Sequence, residues 1–224
     1  MSNKKQTLKS KKPWPTKAAM EQIYEMNLWG GANGYFYSGD GSHNSRIIEP
    51  YISVISSFLK SFNPQLNVCD LGCGDFNVGK DLVKYSNNYV AVDIVYNLIN
   101  YNRKKFKNKN LEFLCLDIAE DNLPSADCVL IRQVYQHLSN AEIHKNIKKL
   151  TNYKYVILTE HLPNRSFIPN KDIISGQGIR LKKQSGIDII APPFNFKVIE
   201  ERELLSINLG DSKGRIKTTF YKVF

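Results

Sequence analysis

Three aspartates recur at similar spacing in this sequence, and each lies at or near the end of a short apolar run. They are Asp70, Asp93 and Asp117, so 23 and 24 residues separate neighbours in the series. A carboxylate at the end of a strand can accept hydrogen bonds from both hydroxyls of a ribose. Strand ends often carry Asp for turn chemistry, so a single one would be weak evidence. The ordered series indicates a binding site for a nucleoside.

Two glycines follow the first aspartate in the run Asp70–Gly74. Glycine lets the backbone approach a ligand closely and adopt positive φ angles, so Gly72 and Gly74 suit a binding turn. A dinucleotide site would use the same geometry, and the turn alone leaves both ligands open. The nicotinamide fingerprint needs a third glycine, where Asn77 stands here, and the Asp70 carboxylate would repel a pyrophosphate. Both details favour a cofactor with a cationic amino group.

Three of the four histidines fall in segments that could meet at one edge of a sheet. His137 follows the fourth strand candidate, His161 follows the fifth, and His43 ends the Gly- and Ser-rich stretch 38–43. An imidazole titrates near neutral pH, so we interpret His137 as a general base, with His161 and His43 as further catalytic candidates. The alternative is that His137 packs before a helix and orients Ser139. Such a convergence could also hold a divalent metal with a carboxylate, but we assign no metal site.

Arginines and aromatic residues supply candidate ligand contacts. Arg132 and Arg180 could each hold a carboxylate or phosphate through two hydrogen bonds, and a surface ion pair is the alternative. We place Arg132 in both the catalytic and the cofactor-binding sets. The stretch 29–43 is rich in glycine and in aromatic side chains that suit stacking on a sugar or a ring. The predicted acceptor-binding residues are Tyr35, Tyr37, Ser38, His43 and Arg180.

These side chains need elements that bring strand ends together. Apolar runs predict strands near 66–71, 89–94, 111–116, 126–131, 154–159, 197–203 and 215–223. Helical spacing and capping signals predict helices near 17–28, 45–62, 77–86, 96–106 and 140–150. Strands that alternate with helices predict a parallel sheet with helices on both faces, and ligands then bind along the edge where the strands end. The stretch 161–195 has no readable helix, and a loop of that length is typical of a lid.

Length and charge favour one globular domain of 224 residues with a net charge of +10. Six lysines fall within the first 17 residues, so we interpret 1–15 as a flexible basic tail and 16–224 as a single domain. Within it, 16–62 would form N-terminal helices and a loop that contacts substrate and cofactor. We find neither a long apolar run nor a secretory signal, which favours a cytoplasmic protein without membrane contact. No pattern predicts the oligomeric state.

The segment from about 66 to 160 resembles the core of class I S-adenosylmethionine-dependent methyltransferases. The first motif of that family matches Asp70, Gly72 and Gly74, and its ribose- and adenine-binding acids match Asp93 and Asp117. The resemblance implies S-adenosyl-L-methionine as the cofactor and an α/β, Rossmann-like fold with a seven-stranded, mostly parallel sheet and an antiparallel last strand. It also implies that Phe76, which stands where the family often has a third glycine, borders the methionine moiety. The implied cofactor contacts are Asp70, Gly72, Gly74, Phe76, Asp93, Ile94, Asp117, Ile118 and Arg132.

The motifs at 132–139, 38–43 and 159–161 resemble a group of small bacterial and viral methyltransferases, some of which act on sugars of surface glycans. That resemblance implies O-methylation of a sugar or another small polar acceptor. The alternative is a nucleic-acid methyltransferase that uses the basic tail and the segment 180–183, with an affinity that depends steeply on salt. A binding protein that kept the fold is a third interpretation, and the intact glycine and aspartate motifs argue against it.

Overall fold

The computed structural model describes residues 14–31 and 35–224. Most of the predicted tail and part of the stretch 29–43 therefore lie outside the described residues. Seven strands form one sheet in the order β3-β2-β1-β4-β5-β7-β6. They are β1 (Val68–Leu71), β2 (Tyr89–Asp93), β3 (Leu111–Cys115), β4 (Cys128–Arg132), β5 (Tyr155–Leu162), β6 (Glu200–Asn208) and β7 (Arg215–Lys222).

The directions of the strands confirm the predicted topology. β7 is antiparallel to both of its neighbours, β5 and β6, whereas β1 to β5 pair in parallel. The carboxyl ends of these parallel strands therefore share one edge of the sheet. The strand order reverses between β1 and β4, and such a switch point opens a crevice in which ligands bind.

Helices cover both faces of the sheet, as predicted. The α-helices are α1 (Thr16–Glu25), α2 (Ser45–Lys60), α3 (Tyr96–Lys105) and α4 (Asn140–Leu150). One core cluster buries side chains of α2 against the sheet, and the other buries side chains of α1 and α4 against the opposite face. Among the described residues, no helix is long and apolar enough to cross a membrane.

Local sequence explains where the two longest helices begin. Asn44 accepts a hydrogen bond from the Arg46 N–H at the start of α2. α4 begins with a capping box at Ser139, whose hydroxyl accepts from the Glu142 N–H while the Glu142 carboxylate accepts from the Ser139 N–H. These side chains satisfy N–H groups that have no partner within the helix.

The predicted helix near 77–86 is wrong. Two short 3₁₀ turns, Gly79–Asp81 and Val83–Tyr85, stand in its place. A glycine costs about 1 kcal/mol relative to alanine inside a helix. Gly79 is also tightly packed, because a Cβ there would collide with the Phe76 ring. The close contact between Gly79 and the Phe76 ring is therefore kept in this stretch, and a continuous α-helix does not form.

The connection from β5 to β6, residues 163–199, contains no α-helix and a single 3₁₀ turn at Arg180–Lys183. We call it the β5–β6 segment. Its later part packs into the core through Ile187, Ile189, Phe194 and Phe196, all of which are buried. That part is a fixed wall, and a lid function for 161–195 stays a prediction.

Candidate active site

A cavity of about 560 Å³ lies at the carboxyl edge of the sheet. Cavities of this size suit a small ligand or cofactor. Its walls come from both sides of the switch point between β1 and β4, so the sheet topology places it where the sequence predicted. Five predicted site residues from five different strand ends meet there, namely Asp70, Asp93, Asp117, Arg132 and His161.

The structure brings the three aspartates together and orients each of them. The Asp93 carboxylate accepts from the Gly74 N–H at 3.1 Å and from the Val95 N–H at 3.0 Å. Asp117 accepts from the Ala119 N–H at 2.8 Å, and Asp70 accepts from the Tyr89 hydroxyl at 2.9 Å. A carboxylate has about four acceptor positions, so each aspartate keeps capacity for a ligand.

Burial leaves two of these carboxylates poorly compensated. It raises the pKa of Asp70 and that of Asp93 to about 6, because a charged group loses solvation inside a protein. Arg132 lowers the pKa of Asp70 only in part, and backbone N–H groups lower that of Asp93. A positively charged ligand would favour the ionised form of both groups.

The glycine turn has the positive φ angles that its sequence predicts. φ is 78° at Gly72 and 57° at Gly74. A Cβ at Gly72 would collide with Val134, and one at Gly74 would collide with the Ser38 hydroxyl. The turn therefore needs glycine both for its backbone and for its contact with two neighbouring loops.

Phe76 does not line the cavity, which corrects its assignment to the cofactor. The ring is fully buried beneath the turn and packs edge-on against Tyr89, Phe106 and Phe113. Its φ of 62° is unusual for a residue with a Cβ. Burial of a Phe side chain stabilises by about 1.5–3 kcal/mol, which offsets that backbone cost.

Arg132 brings a partly satisfied positive charge to the cavity. Its guanidinium donates to the Ser42 hydroxyl at 3.1 Å and to the Gly41 carbonyl, and it lies over the Tyr51 ring. The Nε atom is buried and has no hydrogen-bond partner among the described residues. Burial lowers the pKa of Arg132, yet the group stays charged at neutral pH. One N–H thus remains for an anionic group of a ligand.

Ile94 and Ile118 also line the cavity, as predicted. They follow β2 and β3, next in sequence to Asp93 and Asp117, and Leu138 also lines the cavity. Aliphatic side chains between two carboxylates suit a flat, apolar ring whose edge carries polar groups.

His137 lines the cavity, but both of its ring nitrogens have partners. Nδ1 lies 3.2 Å from the Gly176 carbonyl oxygen, so Nδ1 carries the proton. Nε2 lies 3.1 Å from the Gln136 amide nitrogen and therefore accepts from it. Burial lowers the pKa of His137 to about 4. The imidazole is neutral at physiological pH, and its lone pair is already in use.

His161 has the opposite arrangement. Its Nε2 lies 2.5 Å from the Lys213 carbonyl oxygen, so Nε2 carries the proton. The Nδ1 lone pair has no partner among the described residues, and the side chain lines the cavity. Burial lowers the pKa of His161, which keeps the ring neutral at physiological pH.

His43 is not brought together with the other two histidines, contrary to the expectation. Its Nε2 lies 2.5 Å from Asp75 Oδ2, and its ring stacks on Tyr37 with centroids 4.2 Å apart. The Tyr37 hydroxyl in turn donates to Asp40, so neither ring reaches the cavity. The contact with the Asp75 carboxylate explains why the His43 ring lies outside the cavity. Within the described ranges, no group of three or more His, Cys, Asp or Glu side chains could hold a metal ion.

Of the other residues that we predicted to bind the acceptor, some line the cavity and some lie outside it. Ser38 lines the cavity, where its hydroxyl accepts from the Asp75 N–H at 2.8 Å. Tyr35 is 67% exposed and lies outside the cavity.

Arg180 does not bind in the cavity, which corrects its assignment to the substrate. It is 1% exposed and donates to the Lys171 carbonyl, the Tyr135 carbonyl and the Asn140 side chain. Backbone carbonyls from distant segments surround the guanidinium, so its role is to fasten the β5–β6 segment to the start of α4. The segment 180–183 consequently presents fewer free charges than its sequence suggests.

Glu160 and two glutamines are the functional candidates that sequence reasoning missed. The buried Glu160 carboxylate accepts from the Tyr135 N–H at 3.0 Å and the Gln136 N–H at 2.9 Å, and burial raises its pKa to about 8. A glutamate inside an apolar strand is rare enough to have been a signal. Gln133 and Gln136 line the cavity, and Gln136 Oε1 is buried without a partner in the described part of the chain. Nothing in their local sequence marks these amides.

Comparison with known proteins identifies the matching domain. A family model described as a methyltransferase domain matches residues 68–153, which include β1 to β4, α4 and the three aspartates. No curated protein sequence matches the chain.

Solved structures of methyltransferases share the fold. The N-methyltransferase NodS from Bradyrhizobium japonicum, in complex with S-adenosyl-L-homocysteine, has a TM-score of 0.63 at 11% identity, over 91% of this chain and 98% of that chain. Magnesium protoporphyrin IX methyltransferase from Synechocystis, with bound S-adenosylmethionine, has a TM-score of 0.58 at 16% identity, over 95% and 100%. A methyltransferase from Anabaena variabilis has a TM-score of 0.60 at 15% identity, over 96% and 98%. At these identities the likeness concerns the fold, and it agrees with the predicted class I architecture.

Proposed function

We propose that this S-adenosylmethionine-dependent methyltransferase transfers the methyl group to a hydroxyl of a small polar acceptor, with a sugar as the best-suited class. The enzyme class and the cofactor follow from the matched domain, and the acceptor is the proposal. One observation carries it. The cavity that is lined by the three aspartates is also lined by a second, partly polar group of residues on the other side of the switch point, namely Gln133, His161, Ile179, Lys182, Leu209 and Ile216. We call these two parts the cofactor half and the acceptor half.

The cofactor half fits S-adenosylmethionine by its donor set. Asp93 would accept from the ribose hydroxyls, and Asp70 would favour the amino group. The spare Nε of Arg132 would serve the carboxylate, and Ile94 and Ile118 would flank the adenine. The two carboxylates with raised pKa values support this assignment, since the bound cofactor adds positive charge beside them. When bound, the cofactor supplies an electrophilic methyl group on a cationic sulfur.

Cofactor affinity should depend on pH with a midpoint near 6. Asp70 and Asp93, whose pKa values are about 6 in the ligand-free protein, must be ionised to pair with the cofactor. The dissociation constant of S-adenosylhomocysteine should therefore rise as the pH falls through 6, by up to about tenfold per pH unit for each carboxylate, and stay level above about pH 7. Isothermal calorimetry between about pH 5 and 8 measures this.

Asp93→Asn is the matched control for that titration, because it keeps the shape and removes one titrating group. It should bind more weakly at neutral pH and show a shallower pH slope. The ligand-free protein should respond in the opposite sense. Raised carboxyl pKa values favour the folded state below the unfolded pKa of about 3.9, and that contribution is lost as the pH rises through about 6. An affinity that is constant from pH 5 to 8 would contradict the assignment of both aspartates.

The enclosure of the cavity supports a small acceptor. The β5–β6 segment contributes Gln177, Ile179 and Lys182 to its wall and is tied to the region after α1, where the Gln177 amide donates to the Leu28 carbonyl at 2.9 Å. Trp29, in the same region, packs against the His137 ring. A pocket closed from two sides admits a monosaccharide more readily than a folded polymer.

Within the acceptor half, we assign His161 as the general base that takes the proton from the acceptor hydroxyl. Its Nε2–H is fixed by the Lys213 carbonyl, so Nδ1 offers a lone pair to an acceptor hydroxyl. A neutral imidazole of fixed tautomer suits that role. His137, the first candidate from the sequence, would have to release Gln136 before it could accept a proton.

The nucleic-acid alternative draws less support from the described residues. In the segment 180–183, Arg180 is buried and the Lys183 amine donates to the Asp172 carbonyl at 2.8 Å. Lys182 remains as an exposed charge at the cavity. The basic tail, on which this alternative also depends, lies mostly outside the described residues.

An acceptor screen tests the proposal. Purified protein and S-adenosylmethionine with a labelled methyl group are incubated with glucose, galactose, N-acetylglucosamine, glucuronate and a short RNA. We expect label in one or more sugars, as a methyl ether resistant to mild base. Label in RNA alone would favour the alternative, and S-adenosylmethionine binding without transfer to any sugar would count against a sugar acceptor.

A further inference from the structure

Gln133, the first residue after β4, has an unusual backbone. Its φ is 56°, in the left-handed region that residues with a Cβ seldom adopt. Its N–H donates to the Thr159 carbonyl of β5 at 2.7 Å, which holds the turn in place. Such conformations persist where surrounding structure enforces them, and they cluster at functional sites.

The side chain of Gln133 occupies a space that another residue leaves open. A Cβ built on Gly41 would collide with the Gln133 amide, so Gly41 must be glycine for the amide to lie there. The Gly41 carbonyl accepts from Arg132, which fixes this loop against the strand that carries Gln133. The amide itself makes no side-chain hydrogen bond within the described residues and lines the cavity.

Gln133 lies between the two halves of the cavity in the order of the strands. β4, which ends just before it, pairs with β1, which carries Asp70, and with β5, which carries His161. We infer that Gln133 determines the specificity for the methyl acceptor. Its amide binds a neutral hydroxyl group of the acceptor beside the oxygen that is methylated. This inference rests on the proposed function, since it names what the acceptor presents to the enzyme.

The hydrogen-bonding chemistry of the Gln133 amide determines which group of the methyl acceptor it can bind. A primary amide donates through Nε2 and accepts through Oε1, so it can pair with a vicinal diol in both directions. A carboxylate or phosphate has acceptors alone and would set its charge against Oε1 and the buried Asp70. At the position that it contacts, Gln133 therefore favours a pair of hydroxyl groups over a carboxylate or a phosphate.

The test compares two glutamines with the same backbone. Gln184 has a φ of 50° and is exposed outside the cavity, so Gln184→Leu controls for the change of residue in a left-handed position. Gln133→Leu should raise the KM of the methylated sugar at least about tenfold, the cost of one or two lost hydrogen bonds, whereas Gln184→Leu should not. The dissociation constant of S-adenosylhomocysteine should stay within about twofold of wild type in both variants, which shows that Gln133→Leu is folded.

A binding measurement makes the result independent of turnover. In protein labelled with ¹⁵N-glutamine and saturated with S-adenosylhomocysteine, glucose should shift the Gln133 side-chain amide signal more than glucuronate does. Gln133→Leu assigns that signal, and the Gln184 signal should stay in place. A Gln133 signal that no sugar moves, or equal KM values in the two leucine variants, would overturn the inference. A signal that moves without methyl transfer would instead contradict the proposed function.

Discussion

His161→Ala should lower kcat by about two to four orders of magnitude, the usual contribution of a general base. His161 lines the cavity, its Nδ1 atom has no hydrogen-bond partner among the described residues, and the Lys213 carbonyl fixes the tautomer that makes this atom an acceptor. Because burial lowers the pKa of His161, the rate should be level at neutral pH and fall only in acid, where the imidazole is protonated. Transfer of a labelled methyl group to the sugar identified by the screen measures the effect.

His137→Ala is the matched comparison for His161→Ala, since both remove an imidazole from the same cavity. Its Nε2 already accepts from Gln136 and its pKa is about 4, so it is a poor base at neutral pH. We expect a smaller loss of kcat, accompanied by weaker binding of S-adenosylhomocysteine as the contact with Gly176 is lost. The reverse pattern, with His137→Ala nearly inactive at intact cofactor affinity and His161→Ala active, would return the general base to His137.

Arg180→Ala should lower the free energy of unfolding by about 3–5 kcal/mol, because it removes three hydrogen bonds from a charged donor, each of which contributes about 1.5 kcal/mol or more. The variant leaves the Lys171 carbonyl without a donor and the Tyr135 carbonyl with the Leu138 N–H alone, and it removes a positive charge that lowers the pKa of the buried Glu160. Typical domains are stable by about 5–15 kcal/mol, so this is a large fraction of the whole. Urea unfolding, followed by intrinsic fluorescence, gives the value.

Two variants separate the hydrogen bonds of Arg180 from its charge and position. Arg180→Lys keeps the charge but lacks the planar, five-donor guanidinium, so it should recover only part of the stability. Lys182→Ala, on the same 3₁₀ turn but exposed, should change the unfolding free energy by less than about 0.5 kcal/mol. Equal losses of unfolding free energy in Arg180→Ala and Lys182→Ala would contradict the role of Arg180 in holding the β5–β6 segment against the start of α4.

The sheet and the cofactor half could be predicted because their signals are local. Apolar runs that end in Asp70, Asp93 and Asp117 indicate both the strands and the ligand edge, and the β7 candidate at 215–223 agrees with Arg215–Lys222. The capping box at Ser139 is equally local, as its two partners are three residues apart. Where neighbouring residues decide the conformation, the sequence is informative.

The errors have the opposite origin. Arg180 is buried because carbonyls 9 and 45 residues away accept its donors, and a run of basic residues contains no sign of that. His43 is held by Asp75 across 32 residues, which keeps it away from His137 and His161. Phe76 lies in the core because its ring packs against Phe106 and Phe113. In each case a distant partner, invisible to spacing rules, determines where the side chain lies.

Adjacent residues of β5 serve opposite sides of the sheet, because successive side chains of a strand alternate. The Glu160 carboxylate accepts hydrogen bonds from two N–H groups of the turn after β4, while His161, one residue later, lines the acceptor half. β5 pairs with β7 over all eight of its residues without a shift in register. Insertion or deletion of one residue within β5 would exchange the two faces and remove the buried acid and the imidazole from their places at once. A change in the length of this strand therefore removes the support of the turn after β4 and the imidazole of the acceptor half in a single step.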